Sequence, residues 1–329
     1  MKKVFLAIAC IFLLVGCTET VNNKQSEDNK RETVSNDKPA SDSLDINGYI
    51  NRARWYLANE KIGDAIRDIN SALSIDGKNV DALLILADIY YALGDQNNIL
   101  LTLNKATEIA PLDSRPVIKL AELSFLQGNT NMANAYLDKA LELKSINPQA
   151  YYMRGIIYMS KNDTVKALKQ FMKARDQDDS FIDPVLQIAN IYAAQRNPMA
   201  KDFYALAIQM EPDNNGTLYD LAMYMQDNGN PLKALEIYDT LDARMPGNYQ
   251  VLFNKGYVNL VYLLEYDKAI ENFDKALAIN PKSIDALLNK GVAYEQKGNY
   301  KQAKSIYLQI LKENPNYQLA IDALYRIGE

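Results

Sequence analysis

The sequence predicts an all-α protein, a solenoid of about eight helix–turn–helix units with a C-terminal capping helix. Three observations predict it: small residues recur at a fixed long spacing, alanines recur at helix-contact spacing inside each unit, and glycine or proline falls between helices. The 329 residues are 48% hydrophobic, so the chain can bury a large core without metals or disulfides. The repeats are predicted over residues 46–317 and the capping helix over 318–329.

The period of the repeat lies close to 34 residues. One small residue marks the first helix of every unit, in the series Ala53, Ala87, Ala121, Gly155, Ala189, Ala222, Gly256 and Gly291. A second series marks the second helices, as Ala65, Ile99, Ala133, Ala167, Ala200, Ala234, Ala269 and Ala303. Larger apolar residues flank these positions at helical spacing, as in Leu83, Leu86, Ala87 and Tyr90. This pattern predicts antiparallel helix pairs that approach closely at the small residues.

The turns are marked by glycine and proline. Single glycines fall between the two helices of four units, at Gly94, Gly128, Gly229 and Gly298, where helix C-caps are expected. Prolines close five units, at Pro111, Pro212, Pro246, Pro281 and Pro315. Unit five is one residue short, and unit seven carries one extra residue near Val261–Leu264, which predicts an irregular turn there.

The pattern resembles the tetratricopeptide repeat. The last unit carries the small, tyrosine, glycine, alanine, aromatic and proline positions of that family at Gly291, Tyr294, Gly298, Ala303, Tyr307 and Pro315. The resemblance covers residues 46–317 and implies a right-handed superhelix whose first helices line a concave groove.

The same resemblance indicates which side chains face the groove. Its fifth unit position is apolar or aromatic throughout, as Ile50, Leu84, Ile118, Tyr152, Leu186, Tyr219, Phe253 and Leu288. Aliphatic members either face the groove or are buried between units, and the sequence leaves both readings open. Aromatic residues and methionines are enriched at protein interfaces. The predicted partner-binding residues are therefore Tyr152, Met159, Tyr219, Met223, Phe253 and Tyr257.

The N-terminus predicts export and lipid anchoring. Lys2 and Lys3 precede an apolar run, Val4 to Val15, which has the length of a signal-peptide core and is too short to span a bilayer. The following Leu14-Val15-Gly16-Cys17 resembles the bacterial lipobox, which implies removal of residues 1–16 and lipidation of Cys17. The alternative is an ordinary signal peptide with an incidental cysteine.

Residues 17–45 are predicted to be the lipidated cysteine and a disordered tether. The stretch from Thr18 to Leu44 has no aromatic residue and few aliphatic ones, so it cannot bury enough surface to fold. Thr18 stands where an aspartate retains some lipoproteins in the inner membrane, which favours the outer membrane.

Composition argues against several kinds of chemistry. The chain has no histidine, and both cysteines lie in its first 17 residues, so Ser-His and Cys-His catalysis are excluded from the repeats. No glycine-rich phosphate loop occurs. The acidic run Asp176, Asp178, Asp179 and Asp183 lacks the glycine and bidentate glutamate of a calcium loop and is interpreted as a solvated turn. The sequence therefore predicts no enzyme, no cofactor and no metal.

The predicted function is a scaffold of the bacterial cell envelope, held by lipid at Cys17 and binding segments of partner proteins in the groove. The net charge of −5 argues against nucleic acid as a partner. The alternative function is a carbohydrate or peptidoglycan-fragment binder, because tyrosine-rich grooves also stack on sugars. Whether the body forms oligomers is left open.

Overall fold

The computed structural model describes residues 44–328. The predicted signal peptide (1–16), Cys17 and nearly all of the predicted tether lie outside the described residues. The chain divides into two compact bodies, one ending at Gln177 and the other starting at Asp178. All regular structure in residues 44–328 is helical, which confirms the predicted fold class.

The first body holds four helix pairs. Its helices are α1 (Ile46–Ala58), α2 (Ile62–Ile75), α3 (Val80–Ala92), α4 (Gln96–Ile109), α5 (Ser114–Leu126), α6 (Thr130–Leu143), α7 (Pro148–Ser160) and α8 (Thr164–Gln177). Each odd-numbered helix packs against the next one, and each second helix up to α6 also packs against the first helix of the following pair.

The second body holds four more pairs and one last helix. Its helices are α9 (Ile182–Ala194), α10 (Ala200–Met210), α11 (Asn215–Asp227), α12 (Pro231–Arg244), α13 (Tyr249–Val261), α14 (Tyr266–Ile279), α15 (Ile284–Gln296), α16 (Tyr300–Glu313) and α17 (Gln318–Arg326). Helix α17 packs against α16, the second helix of the last pair. No helix within residues 44–328 has both the length and the apolarity needed to cross a membrane.

The small residues of the repeat lie where paired helices touch. Where a first helix carries glycine, an aromatic ring of the second helix fills the space. A Cβ at Gly155 would lie 2.4 Å from the ring of Phe171, and one at Gly291 would lie 2.5 Å from Tyr307. Gly256 is opposed by Phe273 in the same way, at 2.7 Å. These glycines are therefore required by close packing.

Three pairs with alanine in this slot have an aliphatic residue sixteen positions later: Ala53 with Ile69, Ala87 with Leu103, and Ala121 with Leu137. All six side chains are at most 2% exposed. The small residue of the first helix and the residue that faces it on the second helix therefore share a fixed volume. Glycine is paired with an aromatic ring, and alanine is paired with a branched aliphatic side chain. Two pairs depart from this rule, Ala222 with Tyr238 and Ala189 with Tyr204, and no contact accounts for the exceptions.

Short polar side chains start most of the helices. Asn79 accepts a hydrogen bond from the backbone N–H of Ala82 (2.9 Å), and Ser283 caps α15 through Ala286 at 3.2 Å. Equivalent caps are made by Asp45, Asp95, Asp113, Asn129, Asn147, Asn214, Asn230, Asn248 and Asn299. Each cap satisfies a backbone donor that the first helical turn leaves free.

The turns inside the helix pairs contain a residue with the left-handed backbone conformation, as the glycines predict. Gly94 and Gly298 have φ of 72° and 80°. The irregular turn predicted in unit seven is confirmed at Leu264, a branched residue with φ of 58°. There the N–H of Glu265 bonds to the carbonyl of Asn259, six residues back, whereas the other turns close over five.

Candidate functional site: the face of the first helices

The first helices carry the residues that the sequence analysis assigns to a groove, and the structure sorts them by burial. Ile50, Leu84 and Ile118 are only 3%, 7% and 7% exposed, so these aliphatic members belong to the core of the first body. Phe125 and Leu260, which lie seven residues after Ile118 and Phe253 and so on the same side of their helices, are also buried. The six predicted binding residues are all half-buried, and each keeps part of its side chain open to solvent.

Two of the six, Tyr152 and Met159, lie on α7 in the first body. The ring of Tyr152 is tilted against Phe171 with centroids 5.6 Å apart. Tyr152 thus covers the aromatic residue that fills the space above Gly155. One side of its ring stabilises the helix pair.

The remaining four lie in the second body, on α11 and α13. Tyr219 and Met223 are brought together by Asn254 of α13, whose amide donates to the Tyr219 hydroxyl (2.7 Å) and lies 3.3 Å from the Met223 sulfur. Asn254 is only 8% exposed. Sequence reasoning did not find it, since an asparagine in a helix interior carries no signal of its own.

Phe253 and Tyr257 lie on α13. Phe253 stacks on Tyr249 at 6.0 Å and is tilted against Phe273 at 5.7 Å, so much of its surface serves packing. Tyr257 meets Tyr262 edge to face at 6.1 Å. The four predicted residues of the second body therefore differ in how much of their surface serves packing, and Met223 borders an open cleft.

That cleft, which we call the α11 cleft, has a volume of about 360 Å³. Its lining residues come from α9, α10, α11 and the turns that follow α9 and α11: Ala193, Ala194, Arg196, Tyr204, Asp220, Met223, Tyr224, Asp227 and Asn228. The size is within the usual range for a site that takes a small ligand or one side chain. All of these residues except Met223 were missed from the sequence.

Two tyrosines form a wall of the α11 cleft with their hydroxyls already bonded. Tyr204 donates to the side-chain oxygen of Asn190 (2.7 Å), and Tyr224 donates to the carbonyl of Asn197 (3.0 Å). Burial raises the pKa of Tyr204 well above its usual range. The rings, whose centroids are 6.2 Å apart, are only 3% and 9% exposed, so little of their surface borders the cleft.

The cleft also holds two carboxylates. Asp220 and Asp227 form no ion pair with any lysine or arginine in residues 44–328, although the side-chain amide of Gln226 donates to Asp227 at 3.4 Å. The Asp220 side chain remains open to water, but the cleft walls partly desolvate its carboxylate and raise its pKa. The arrangement suits a positively charged group.

Two basic residues of the first body, both on α5, are already engaged in ion pairs. Arg115 pairs with Asp81 and Asp113, each at 2.6 Å, and Lys119 pairs with Asp88. These are the cations that a clamp for a C-terminal carboxylate would need to keep free. Within the described residues, no group of three or more acidic or sulfur side chains is placed to hold a metal ion.

Paired antiparallel helices at a period near 34 residues define a helical-repeat protein. The chain belongs to the tetratricopeptide repeat family. Models of that repeat match residues 265–326 and, in a second version, residues 80–111 and 148–177.

Relatives and solved structures agree with this family. A TPR repeat-containing protein of Methanocaldococcus jannaschii is 25% identical over 269 residues, which is 81% of this chain and 43% of that protein. The uncharacterized protein ycf37 of Guillardia theta is 33% identical over 141 residues, 42% of this chain and 73% of its own length. A structure of human IFIT1 with PPP-AAAA covers 81% of this chain and 72% of its own, with TM-score 0.52 and 20% identity, and shows the fold alone.

The chain spans less than half the length of the first curated relatives that it matches, between 24% and 45%. Proteins of this family in general mediate protein–protein interactions.

Proposed function

We propose that this chain is a scaffold of the cell envelope, anchored by lipid at Cys17, that binds segments of partner proteins on the face of its first helices. The observation that carries the binding proposal is the contrast in burial along one register. Ile50, Leu84 and Ile118 in that register are buried, whereas the aromatic members Tyr152, Tyr219 and Phe253 remain partly open, as do Leu186 and Leu288 in the second body. Large partly exposed apolar side chains in a common register favour an interaction surface.

The anchoring proposal rests on the sequence of residues 1–17. An acylated cysteine followed by a polar tether would hold the repeats near a membrane while leaving the face of the first helices accessible. The absence of an aspartate after Cys17 supports the outer membrane.

A carbohydrate or peptidoglycan fragment is the competing ligand. Sugar-binding sites combine aromatic rings that stack on the sugar with free polar groups that hydrogen-bond to the sugar hydroxyls. In the α11 cleft the rings of Tyr204 and Tyr224 are only 3% and 9% exposed, so neither offers a face on which a sugar ring could stack. The cleft therefore favours an apolar or charged side chain over a sugar ring.

Site-specific photocrosslinking in cells tests the binding proposal. A photoreactive amino acid replaces Met223, which lines the α11 cleft, and in a matched variant it replaces Ala205, which is exposed on α10 outside the cleft. We expect a protein adduct from position 223 that is absent from position 205. Equal adducts from both positions, or none from position 223, would contradict binding at the face of the first helices.

A further inference from the structure

Acidic residues are concentrated in one part of the second body. Over residues 178–242, eleven aspartates and glutamates face three lysines and arginines, whereas over residues 243–328 the numbers are eight and eleven. Lys255 pairs with Asp239 and Asp242 at 2.9 and 2.8 Å, so part of this charge is neutralised. A cleft surrounded by an excess of one sign attracts ligands of the opposite sign.

The α11 cleft lies within this acidic stretch and has an ordered arrangement of side chains. Asp220, Met223, Tyr224 and Asp227 follow i, i+3, i+4 and i+7 on α11, so they form one stripe that lines the cleft. The two carboxylate-bearing positions are seven residues apart, which corresponds to about 10 Å along a helix. A thioether and an aromatic ring lie between them.

This spacing matches the chemistry of a long basic side chain. A lysine or arginine has an apolar stem that packs on thioether and aromatic surface, and a cationic end that pairs with a carboxylate. A cation near an aromatic ring gains further attraction. Arg196 also lines the cleft and opposes such a ligand, so it sets part of the affinity.

We propose that the α11 cleft binds a lysine or arginine side chain of an extended partner segment, with the cation held between Asp220 and Asp227 and the stem lying on Met223. This inference rests on the proposed function and names the chemistry of the ligand. The occupant is a basic protein segment, and the charge excess of residues 178–242 guides its approach.

Peptide binding to the full-length chain in detergent tests the proposal. The probes are four fluorescein-labelled peptides, rich in glycine and leucine, that differ only in a central residue: lysine, arginine, glutamine or glutamate. By fluorescence anisotropy we expect the lysine and arginine peptides to bind at least ~10-fold more tightly than the glutamine peptide, and the preference to fall as salt is added. The glutamate peptide should bind weakest.

Amino-acid substitutions test which carboxylates cause the preference for the lysine peptide. Asp220→Asn and Asp227→Asn should each weaken the lysine peptide by roughly 5- to 10-fold, with little change for the glutamine peptide. Asp202→Asn is the matched control, because Asp202 lies on α10 in the same acidic stretch but outside the cleft. Arg196→Gln should strengthen the lysine peptide by about 2- to 5-fold, a gain that a folding defect cannot produce.

Three outcomes would overturn the proposal. They are equal affinity for the lysine and glutamine peptides, no binding of any peptide, and equal weakening by Asp202→Asn and Asp220→Asn, which would assign the effect to the general field. Self-association that competes with the peptides and is lost in Asp220→Asn would name a second copy of the chain as the occupant instead. Failure here together with a clean adduct from position 223 would leave the scaffold proposal intact.

Discussion

The pairing of glycine with an aromatic ring can be tested at Gly155 and Phe171. Phe171 is fully buried, and a Cβ at Gly155 would lie 2.4 Å from its ring, closer than carbon atoms can approach. Since a buried ring cannot turn away, Gly155→Ala forces the two helices apart. The change that removes the conflict is already present in the chain, as Ala87 with Leu103 and Ala121 with Leu137.

The magnitudes follow from packing and helix propensity. Gly155→Ala gains about 1 kcal/mol of helix propensity and loses about 1–3 kcal/mol through overpacking, so its net cost is about 0–2 kcal/mol. Phe171→Leu alone leaves a cavity next to a glycine and costs roughly 1–2 kcal/mol. In the double variant the alanine methyl fills that cavity, so the two changes should be coupled favourably by about 1–3 kcal/mol.

Urea unfolding followed by circular dichroism measures the four members of this cycle. Unfolding of repeat arrays can depart from two states, so the comparison uses midpoints under one set of conditions. We expect the double variant to unfold at a higher urea concentration than Phe171→Leu. Additive effects of the two substitutions would refute the shared-volume explanation of these slots.

Three further predictions address other parts of the chain. Ala200→Leu, at a fully buried slot of α10, should cost about 1–3 kcal/mol by overpacking, and an unchanged melting temperature would contradict close packing there. Cys17→Ser should release the protein from membranes, whereas retention after a carbonate wash would exclude the lipid anchor. Hydrogen bonds from Arg326, in the last helix, lower the pKa of Glu295, so this pair stabilises the protein above the ordinary carboxyl pKa of about 4.3 and stops doing so as the pH falls through the lowered value. Glu295→Gln should therefore lower the melting temperature at pH ~7, and this loss should shrink as the pH falls below about 4.3; a loss that stays constant over that range would contradict the assignment.

Much of the fold could be predicted because the same residue types recur at the same positions of each repeat. Alanine at a helix contact, glycine in a left-handed turn and a short polar residue at a helix start are local requirements that recur with the period. Even the irregular turn at Leu264 was visible as one extra residue. The shared volume at Gly155 and Phe171 could have been found too, because the aromatic residue follows sixteen positions after the glycine.

The candidate site was harder to predict, because register does not determine exposure. Ile118 and Tyr152 occupy the same unit position, yet Ile118 is 7% exposed and belongs to the core, whereas Tyr152 keeps a solvent-facing edge. A helix position fixes the direction of a side chain, but its length and its neighbours on adjacent helices decide how far it is covered. Asn254 shows the same limit, since its role depends on Tyr219 and Met223 of another helix.

The charge of a short stretch of the sequence is more informative about the site than the net charge of the whole chain. The net charge of −5 suggests a mildly acidic protein, but it averages residues 178–242, where acids exceed bases by eight, with a neighbouring stretch where bases exceed acids by three. Because interactions between exposed charges are screened beyond about 8–10 Å at physiological salt, a ligand responds to the charges around its own site. For a repeat protein, whose surfaces are set unit by unit, the charge of each successive unit is a more useful sequence-level quantity than the net charge of the chain. It marks two units as acidic, the unit of α3 and α4 and the unit of α11 and α12.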